Sequence, residues 1–533
     1  MIEVNLIGDN NLEGDLVYEI LKNRGFDDEK IEEFLNPCER HMGDFYKIIN
    51  AKEGIETFLK HLKNMSTIAI IQDSDVDGMT SSAQFYKYIK RFNNDIKIKL
   101  FIHKDKSHGL SDDIMRMLNE NKFDLLIIPD AGSSDLKEIE KLKHKDIIIV
   151  DHHEVSEISP YALTINNVYS KSCEGLSGAG LTYRFLKECD KILKANYSEG
   201  FEDLMAVGMI ADMMDVSNLE VNYLIQKSLD KFNSAFSKAI VKEKKIKKVT
   251  PKDISFYFAP LGNSVCRTGN HDDKVELFKI LISEKEQESI SKIKKVKERQ
   301  DLEVKEFLKN NENNLTVLNN IVIMTTEEQN GFSGLVANKL LQKYKRPTII
   351  YSTKTLKGSC RSPFSEDIDF RNILLETGQF EYCMGHKNAC GIKIKDNFDM
   401  NILNEKLNSL EIKKSFNVDF ILDYENANSF FIHEVYSISN HYSKGVEEPN
   451  ILINNILTSI LEFRNGRIEG HSIFNNCYYI KFGIEQPDFD LIKSKKFINA
   501  ICTGNINYFF GEKYQFNIEE YLLEDIKIIK KES

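Results

Sequence analysis

Between residues 66 and 152, four runs of apolar residues alternate with amphipathic segments, and this alternation restricts the fold more than any other feature of the chain. The apolar runs predict β-strands at 67–72, 96–103, 123–129 and 146–151. Helical patterns lie between them, near 79–92, 111–120 and 134–143. Because continuously apolar strands that alternate with helices form parallel sheets covered on both faces, the sequence predicts an α/β domain here.

The rest of the chain divides where its pattern changes. Residues 284–312 read as one long charged helix, and a second strand–helix–strand unit follows at 320–352. From about residue 415 the alternation is lost, and short strands predict a small β-barrel. We expect five segments: a helical N-terminal lead (1–65), a parallel-sheet domain (66–236), a helical connector (237–312), a smaller α/β domain (313–412) and an OB-like β-barrel (413–533).

Composition excludes several classes of protein. The net charge of −11 argues against indiscriminate binding to polyanions, although residues 238–248 form a basic run and a local basic channel stays open. No apolar run approaches the roughly 20 residues that span a bilayer, and the acidic N-terminus is not that of a signal peptide. Nine scattered cysteines without a CxxC pair indicate free thiols rather than a zinc site. We therefore expect a cytoplasmic monomer without membrane contact.

The first motif that carries chemistry is Asp73-Ser-Asp75-Val-Asp77-Gly78, directly after the first predicted strand. Three carboxylates within five residues repel one another, and a divalent ion would offset that repulsion. An EF-hand is excluded, because no Glu stands at the twelfth position and the flanking elements are a strand and a helix. The alternative interpretation is a polar strand-to-helix turn without metal.

Further polar motifs stand at the ends of the third and fourth predicted strands, namely Asp130 and Asp151-His152-His153. Singly, Asp130 is explained by a helix N-cap and the histidine pair by a surface position. Ligands of open α/β sheets, however, bind beyond the carboxyl ends of the strands, where all of these motifs fall. Asp212, in an apolar helical segment, also needs a cation or hydrogen bonds if it is buried.

The predicted metal ligands are Asp75, Asp77, Asp130, His152 and Asp212. A carboxylate-rich set with one imidazole favours Mn²⁺ or Mg²⁺ over zinc. Shared carboxylates in such a set can hold two ions about 3.5–4 Å apart, the spacing of two-metal phosphoryl-transfer sites.

Together these motifs resemble those of the DHH phosphoesterase superfamily and, within it, of the RecJ-like single-stranded-DNA-specific exonucleases. The similarity keeps the same order over most of the chain. It also includes Arg24-Gly25, Phe34-Leu-Asn-Pro37, Ser177-Gly-Ala-Gly180, Asn263-Ser-Val-Cys-Arg267, Glu298-Arg-Gln300, Gly334-Leu-Val-Ala337, Ser359-Cys-Arg361 and Gly385-His386-Lys-Asn-Ala-Cys-Gly391. The fold implied is α/β multidomain: a parallel-sheet DHH domain, a long connecting helix, a smaller DHH-associated domain and a C-terminal OB-like barrel.

The chain departs from the family pattern in three places. Where the family often has Arg ahead of Gly-Tyr-Gly, this chain has His103 ahead of His108-Gly109. The usual Gly-Gly-His is Met384-Gly-His386 here. The C-terminal segment matches the family poorly, and its most similar parts are residues 444–449 and 479–482.

The resemblance implies a 5′-to-3′ exonuclease that uses two divalent ions and acts on single-stranded DNA in repair or recombination. It assigns His153 a contact with a phosphate oxygen, and Asp73 the orientation of a ligand or of the water. The substrate strand is expected to be held from the opposite domain by Asn263, Arg267, Ser359, Arg361 and His386. A single-strand-binding protein or a helicase is an expected partner.

Alternative functions stay open at this point. One is a DHH enzyme that cleaves short oligonucleotides or cyclic dinucleotides, and another hydrolase of this kind is a pyrophosphatase-like enzyme. An alternative of a different class is an inactive DHH scaffold in a replication complex. The long connecting helix and the C-terminal segment favour a polymer, and that segment is expected to bind single strands through aromatic and basic side chains: Tyr478, Tyr479, Phe482, Tyr508, Phe509, Phe510, Lys493, Lys495 and Lys496.

Overall fold

A computed structural model describes residues 2–104, 107–283, 285, 289–327, 331–364, 368–409, 415–508 and 511–531. The chain begins with a strand and three helices, β1 (Ile2–Ile7), α1 (Leu16–Asn23), α2 (Asp28–Leu35) and α3 (Ala51–Lys63). The prediction of a wholly helical lead is therefore wrong at its start. In β1, Ile2, Val4 and Leu6 are buried and the residues between them are half-buried. This is the alternation of a strand, but a segment of six residues is too short for the pattern to be recognised in the sequence.

A five-stranded parallel sheet follows. Its strands are β2 (Ile68–Gln72), β3 (Ile98–Ile102), β4 (Leu125–Pro129), β5 (Asp146–Asp151) and β6 (Leu163–Asn166), in the order β3-β2-β4-β5-β6. The intervening helices are α4 (Val76–Phe92), α5 (Asp112–Asn119) and α6 (Leu136–Lys141). The predicted parallel sheet is confirmed, and β6 is an additional strand at its edge.

Alternate residues of these strands enter two separate cores, because successive side chains of a strand point to opposite faces. Ile70 and Ile127 pack with α3 and α4, whereas Ile71 and Ile128 pack with α5 and α6. The chain leaves β2 for β3 on one side and returns to β4 on the other. The carboxyl ends of β2 and β4 therefore form a topological switch point, the usual ligand position in such sheets.

A helical region connects this domain to the next. Its helices are α7 (Asn167–Ser170), α8 (Gly178–Leu193), α9 (Glu202–Ala211), α10 (Leu219–Ser228), α11 (Ala235–Lys244), α12 (Pro251–Asp253), α13 (Ala259–Thr268), α14 (His271–Ile282) and α15 (Ser291–Asn310). A π-helical turn, Ile254–Phe258, joins α12 to α13. The long charged helix predicted over 284–312 is α15, which begins at Ser291.

The smaller α/β domain has a six-stranded sheet. Its elements are β7 (Leu315–Val317), β8 (Val322–Thr326), α16 (Ser333–Tyr344), β9 (Thr348–Ser352), β10 (Lys357–Arg361), α17 (Phe370–Glu376), β11 (Phe380–His386), β12 (Ala389–Ile394) and α18 (Met400–Ser409). The strand order is β11-β12-β10-β9-β8-β7. The predicted strand–helix–strand unit is confirmed as β8, α16 and the parallel strand β9.

The last segment contains β13 (Ser415–Val418), β14 (Phe420–Asp423), α19 (Ser429–Tyr436), β15 (Ile451–Leu457), β16 (Leu461–Arg464), β17 (Arg467–Ser472), β18 (Cys477–Phe482), α20 (Gln486–Lys493), β19 (Phe497–Asn507), β20 (Lys513–Leu522) and β21 (Ile526–Lys531). Seven strands form one sheet in the order β14-β15-β19-β20-β18-β17-β16. No pairing between the described residues of β14 and β16 closes this sheet. The predicted OB-like β-barrel is therefore not confirmed, because the described strands of this sheet form no closed barrel.

Both ends of the chain meet in a second, three-stranded sheet. β1 lies between β13 and β21 and is parallel to both, with Ile2 opposite Ile526. A buried ion pair reinforces this junction, because the guanidinium of Arg24 donates to both carboxylate oxygens of Asp419. The N-terminal lead and the C-terminal segment therefore fold together, and the boundaries of the five predicted segments stay predictions.

Two observations bear on the expectations from composition. The nine cysteines are all free thiols. Among the helices of the described residues, none is both long and apolar enough to cross a membrane.

Candidate metal centre

The five predicted ligands lie together at the switch point of the parallel sheet. Asp75 and Asp77 follow β2, Asp130 follows β4, His152 follows β5, and Asp212 ends α9. His152 stands at the middle of the group, and its Nε2 lies 3.2 Å from Asp130 Oδ1, 3.5 Å from Asp212 Oδ2 and 3.9 Å from Asp77 Oδ2. Side chains from four different elements therefore converge on one small volume.

Helix N-termini hold two of these carboxylates. Asp75 caps α4 and accepts a hydrogen bond of 2.9 Å from the backbone N–H of Gly78. Asp77 accepts from Ser177 Oγ, and from the backbone N–H groups of Gly178 and Ala179, at 2.7–3.0 Å. The start of α8 thus presents its positive dipole end to Asp77 and fixes the direction of its carboxylate.

Asp130 supplies the test of whether a cation fits this site. Its backbone lies in the left-handed region with φ of 64°, which Asp tolerates better than most residues. Both carboxylate oxygens are buried, and neither accepts a hydrogen bond from a described residue. An uncompensated buried carboxylate is costly, so the oxygens of Asp130 fit a bound cation.

The carboxylates of the group also destabilise one another in their charged forms. Burial, followed by the charges of neighbouring carboxylates, raises the pKa of Asp75 to about 6 and that of Asp212 to about 8. The pKa of Asp130 is raised for the same reasons, with Asp77 as the neighbouring charge of largest effect. A divalent ion reverses this balance, because it favours the ionised carboxylates that surround it.

Three overlapping sets of ligand atoms each lie within 4.8 Å of one another. The sets are Asp77, His152 and Asp212; Asp73, Asp75 and Asp130; and Asp130, His152 and His153. Each of the first two sets could hold one ion, and the third set joins them because it contains both Asp130 and His152. Asp73, which the sequence suggested as an orienting residue, lies close enough to be a ligand itself. The donor set of oxygens and imidazole suits Mn²⁺ or Mg²⁺.

His153 is held differently from His152. Its Nδ1 donates a hydrogen bond of 2.7 Å to Asp151 Oδ1, and Asp151 also accepts from the backbone of Ser133. This hydrogen bond raises the pKa of His153 to about 9, against the effect of partial burial. The contact with Asp151 therefore favours the protonated ring, and its exposed edge is available to an anion. The phosphate contact predicted for His153 agrees with this position and stays a prediction.

Two further histidines, which the sequence marked only as departures from the family pattern, meet Asp73. His108 donates from Nδ1 to Asp73 Oδ2, and the backbone N–H of Gly109 donates to Oδ1 at 3.0 Å. His103 Nε2 lies 3.7 Å from the same carboxylate. The sequence could have indicated that these histidines belong to the site, because they lie between β3 and α5 and that connection borders the switch point.

The predicted substrate residues of the smaller domain lie on one side of its sheet. Ser359 and Arg361 are two residues apart on β10, so they share a face. Arg361 stands opposite Ala389, which stands opposite His386, so Arg361 and His386 lie on the same face of the sheet, two strands apart. A Cβ at Gly334, in the first turn of α16, would lie 2.7 Å from Arg361 Nη2. Arg361 thus lies against a helix N-terminus.

Asn263 and Arg267 are one turn apart on α13. Burial lowers the pKa of Arg267, and the negative charge of Asp75 acts in the opposite direction. Burial likewise lowers the pKa of Arg361, and the nearby charge of Arg267 lowers it further. Two guanidinium groups that repel each other, one of them near Asp75, suit an anion.

This arrangement defines the class of DHH phosphoesterases, and comparisons with known proteins agree. Residues 67–209 match the model of the DHH family, N-terminal domain. A Bacillus subtilis protein, YorK, named as a candidate single-strand DNA-specific exonuclease of the SPbeta prophage, is 31% identical over the full length of both chains. The single-stranded-DNA-specific exonuclease RecJ of the same organism is 26% identical over 76% of this chain and 53% of its own length.

Solved structures show the same fold. A crystal structure of RecJ from Thermus thermophilus in complex with Mn²⁺ superposes with a TM-score of 0.75 at 16% identity, over 98% of this chain and 80% of that chain. The same protein in complex with Mg²⁺ gives a TM-score of 0.69. The chain therefore belongs to the RecJ-like family of DHH exonucleases, a family of metal-dependent phosphodiesterases.

Proposed function

We propose that this chain is a single-stranded-DNA-specific exonuclease that hydrolyses phosphodiester bonds in the 5′-to-3′ direction with two divalent ions, Mn²⁺ or Mg²⁺. The observation that carries the proposal is the convergence of acidic side chains and His152 at the switch point of the sheet, with the guanidinium of Arg267 within reach of the charge of Asp75. The names of the relatives that match over most of the chain support the choice of substrate. A role in repair or recombination, as a monomer in the cytoplasm, belongs to the same proposal.

The metal ligands in this proposal are Asp75, Asp77, Asp130, His152 and Asp212, with Asp73 orienting a ligand or the attacking water. Two divalent ions would supply Lewis-acid chemistry, in which the pKa of water falls and the charge of the phosphate is neutralised. The chain itself fixes the direction of two of these carboxylates, those of Asp75 and Asp77, through the starts of α4 and α8. Asp151 holds the ring of His153 so that the imidazolium faces the phosphate.

The terminal 5′-phosphate is assigned to Arg361, Ser359 and the first turn of α16. A guanidinium binds phosphate through two parallel hydrogen bonds, and a helix N-terminus adds backbone N–H donors. Asn263 and Arg267 would hold the next phosphate, between the terminal pocket and the ions. His386, which is exposed at the end of β11, would contact the strand from the same face of the sheet.

Digestion of three substrates in parallel with Mn²⁺ tests this proposal: end-labelled single-stranded DNA, the matching duplex and a cyclic dinucleotide. The expected result is progressive shortening of the single strand from its 5′ end, little attack on the duplex and none on the cyclic dinucleotide. Asp77→Ala should abolish turnover with the fold intact. Shortening from the 3′ end would exclude the polarity, and preferred hydrolysis of the cyclic dinucleotide would exclude the polymer substrate.

A further inference from the structure

A turn of the C-terminal segment lies against the loop that carries Asp212. The turn, residues 443–446, is closed by two backbone hydrogen bonds between Ser443 and Val446, of 3.0 and 3.1 Å. Val446 is completely buried, so the turn is anchored in the core of the segment. The two central residues of the turn contact the loop.

The Asp212 loop, residues 212–218, joins α9 to α10. Asp212 Oδ2 lies 3.5 Å from His152 Nε2 in the metal centre. Asp75 and Asp77 are directed by backbone N–H groups, but among the described residues no backbone N–H donates to the carboxylate of Asp212. The direction of this predicted ligand therefore depends on how the loop itself is held.

One end of the Asp212 loop is fixed by α9. The backbone N–H groups of Asp212 and Met214 donate at 3.0 Å to the carbonyls of Gly208 and Met209, respectively. Between them, Met213 has a left-handed backbone with φ of 58°, and its side chain is 56% exposed. The helix therefore holds the loop as far as Met214, and the rest of the loop needs another support.

The turn supplies that support through two contacts. The backbone N–H of Val216 donates to Lys444 O at 2.8 Å. Beside this bond, Gly445 leaves free the space that the carboxylate of Asp215 occupies, because a Cβ at Gly445 would overlap its Oδ1 and Cγ atoms. Gly445 also has φ of 89°, a conformation that glycine adopts without steric cost. The loop is thus held three and four residues beyond Asp212.

The residues just before the turn hold α10, the helix to which the loop leads. Gln226 Nε2 donates to Asn440 O, and Asn440 Nδ2 donates to Gln226 Oε1, both at 2.6 Å. One continuous stretch of the C-terminal segment, residues 440–446, therefore contacts both the Asp212 loop and the helix after it. A shift of this stretch would be passed to Asp212, because only a few residues separate these contacts from the predicted ligand.

We propose that Gly445 is a positioning residue of the metal centre, because it lets the turn hold the Asp212 loop and thereby directs Asp212 toward the ion. The inference rests on the proposed function, since that ion is one of the two proposed there. It gives the C-terminal segment a role besides strand binding, in which the segment completes the site formed by Asp77, His152 and Asp212. A segment that only binds the strand would affect KM and leave the affinity for metal unchanged.

Mn²⁺ binding to the metal-free, full-length protein tests this inference, with the free ion measured by electron paramagnetic resonance. In Gly445→Ala the added methyl group displaces Asp215 and, with it, the Asp212 loop. Affinity for one of the two ions should fall about 10- to 100-fold, the usual effect of a lost supporting contact. The ion of the other set, which does not include Asp212, should keep its parental affinity.

A second variant restores the space that the methyl group takes. Gly445→Ala/Asp215→Ala removes the atoms that the methyl group would overlap, so it should recover most of the affinity. Asp215→Ala alone keeps the hydrogen bond of Val216 and should bind Mn²⁺ nearly as the parent does, since Asp215 is exposed and belongs to none of the ligand sets. Affinity that stays low in the double variant would overturn the inference.

Gly483→Ala is the matched control in the same segment. Gly483 also has a positive φ, 69°, but a Cβ there would meet no heavy atom within 4 Å beyond its chain neighbours, so the substitution adds backbone strain without an overlap. It should bind both ions like the parent. Parental affinity in Gly445→Ala, or an equal loss in Gly483→Ala, would refute the positioning role. Loss of the folded state in Gly445→Ala, seen by circular dichroism, would refute it too, because the contact would then serve the fold rather than the metal centre.

Hydrolysis of single-stranded DNA with Mn²⁺ separates this inference from the proposed function. A parent that cleaves DNA, together with parental Mn²⁺ affinity in Gly445→Ala, would refute the inference alone. A parent that cleaves no DNA, while Gly445→Ala loses one ion and the double variant recovers it, would refute the proposed function and support the positioning role.

Discussion

Gly178 leaves free the space that the carboxylate of Asp130 occupies. A Cβ at Gly178 would lie 2.4 Å from Asp130 Oδ1, far inside van der Waals contact. The same residue donates its backbone N–H to Asp77 at 2.7 Å. The first residue of α8 therefore positions two predicted metal ligands without being able to bind metal itself.

Gly178→Ala should accordingly weaken the metal centre while every ligand remains. The added methyl group displaces Asp130 and, through the helix start, Asp77. Loss of such a supporting contact typically costs about 10- to 100-fold in metal affinity. Titration of the metal-free protein with Mn²⁺, followed by activity at saturating metal, measures both effects.

The control for this variant is Gly180→Ala, two residues further along α8. The atoms nearest to its Cβ would belong to the side chains of Met209 and Leu176, at 3.2–3.4 Å, and flexible Met209 can adjust. Gly180→Ala should keep near-parental Mn²⁺ affinity. Equal losses in the two variants would show that helix packing, rather than the contact with Asp130, causes the defect.

Asp130→Asn should separate two effects on stability: the destabilisation by buried carboxylates without metal, and the stabilisation that bound metal gives. In EDTA the variant should unfold at a higher temperature than the parent, because a buried carboxylate repelled by Asp77 and Asp75 is gone. With Mn²⁺ at 100 times the dissociation constant, the parent should gain about 2.7 kcal/mol, and Asp130→Asn much less.

Exposed Asp95→Asn is the matched control, and its melting temperature should follow that of the parent under both conditions. Thermal melts with and without Mn²⁺ measure all three proteins. If Asp130→Asn gains as much as the parent from Mn²⁺, Asp130 does not bind the ion.

The sequence predicted the convergence of these side chains better than it predicted the outer parts of the fold. Asp75, Asp130 and His152 each follow a strand of a parallel sheet, and the carboxyl ends of such strands meet at one edge whatever the side chains do elsewhere. By contrast, the left-handed backbone of Asp130 and the contact of Gly334 with Arg361 depend on three-dimensional packing. Neither feature can be predicted from the periodicity of the sequence.

The pairing of the two ends of the chain could not be predicted from sequence patterns for the same reason. β1 pairs with β21, and Ile2 stands opposite Ile526, so the pairing partner lies more than 500 residues away.

Of the aromatic residues expected to bind single strands, Tyr479 is fully buried, whereas Phe482 and Tyr508 are exposed. Phe509 and Phe510 lie outside the described residues. Removing the C-terminal segment would leave β1 without partners, so point variants test its role better than truncation.

Arg361→Ala should abolish a preference for 5′-phosphorylated ends. The guanidinium is assigned to the terminal phosphate, so its loss should raise KM for phosphorylated strands more than it lowers kcat. Arg361→Lys should recover only part of the preference, because a lysine keeps the charge without the two parallel donors. Initial rates on 5′-phosphorylated and 5′-hydroxyl strands measure the effect.

Lys357→Ala, at the other end of β10, is the matched control for the loss of a positive charge. It should leave the preference at its parental value. Equal rates of the parent on both ends would refute the terminal-phosphate pocket, whatever the variants do.

The last prediction concerns His441, which joins the C-terminal segment to the catalytic domain. The ring is only 6% exposed, lies 5.0 Å from the ring of Phe34, and has its Nδ1 3.2 Å from Asn222 Oδ1. Burial, and then the charge of Lys248, lowers its pKa to about 4. The same side chain has a pKa near 6.5 in an unfolded chain.

The sign of the pH dependence follows from these two values. Between pH 6.5 and 4 the unfolded chain takes up a proton that the folded protein excludes, so the free energy of unfolding falls as the pH falls. The loss of unfolding free energy caused by His441 is absent above pH 7, reaches about 2 kcal/mol by pH 5, and levels off near 3 kcal/mol below pH 4. Other groups titrate in the same range, so only the difference from a variant isolates His441.

Denaturant unfolding in EDTA at pH 7.5 and pH 5 measures that difference. His441→Gln keeps a donor for Asn222 but cannot be protonated, so it should lose about 2 kcal/mol less than the parent over this interval. His433→Gln, on the exposed side of α19, should behave like the parent. If parent and His441→Gln lose the same free energy, the folded protein protonates His441 freely, and the contact between the C-terminal segment and α10 opens to water at pH 5.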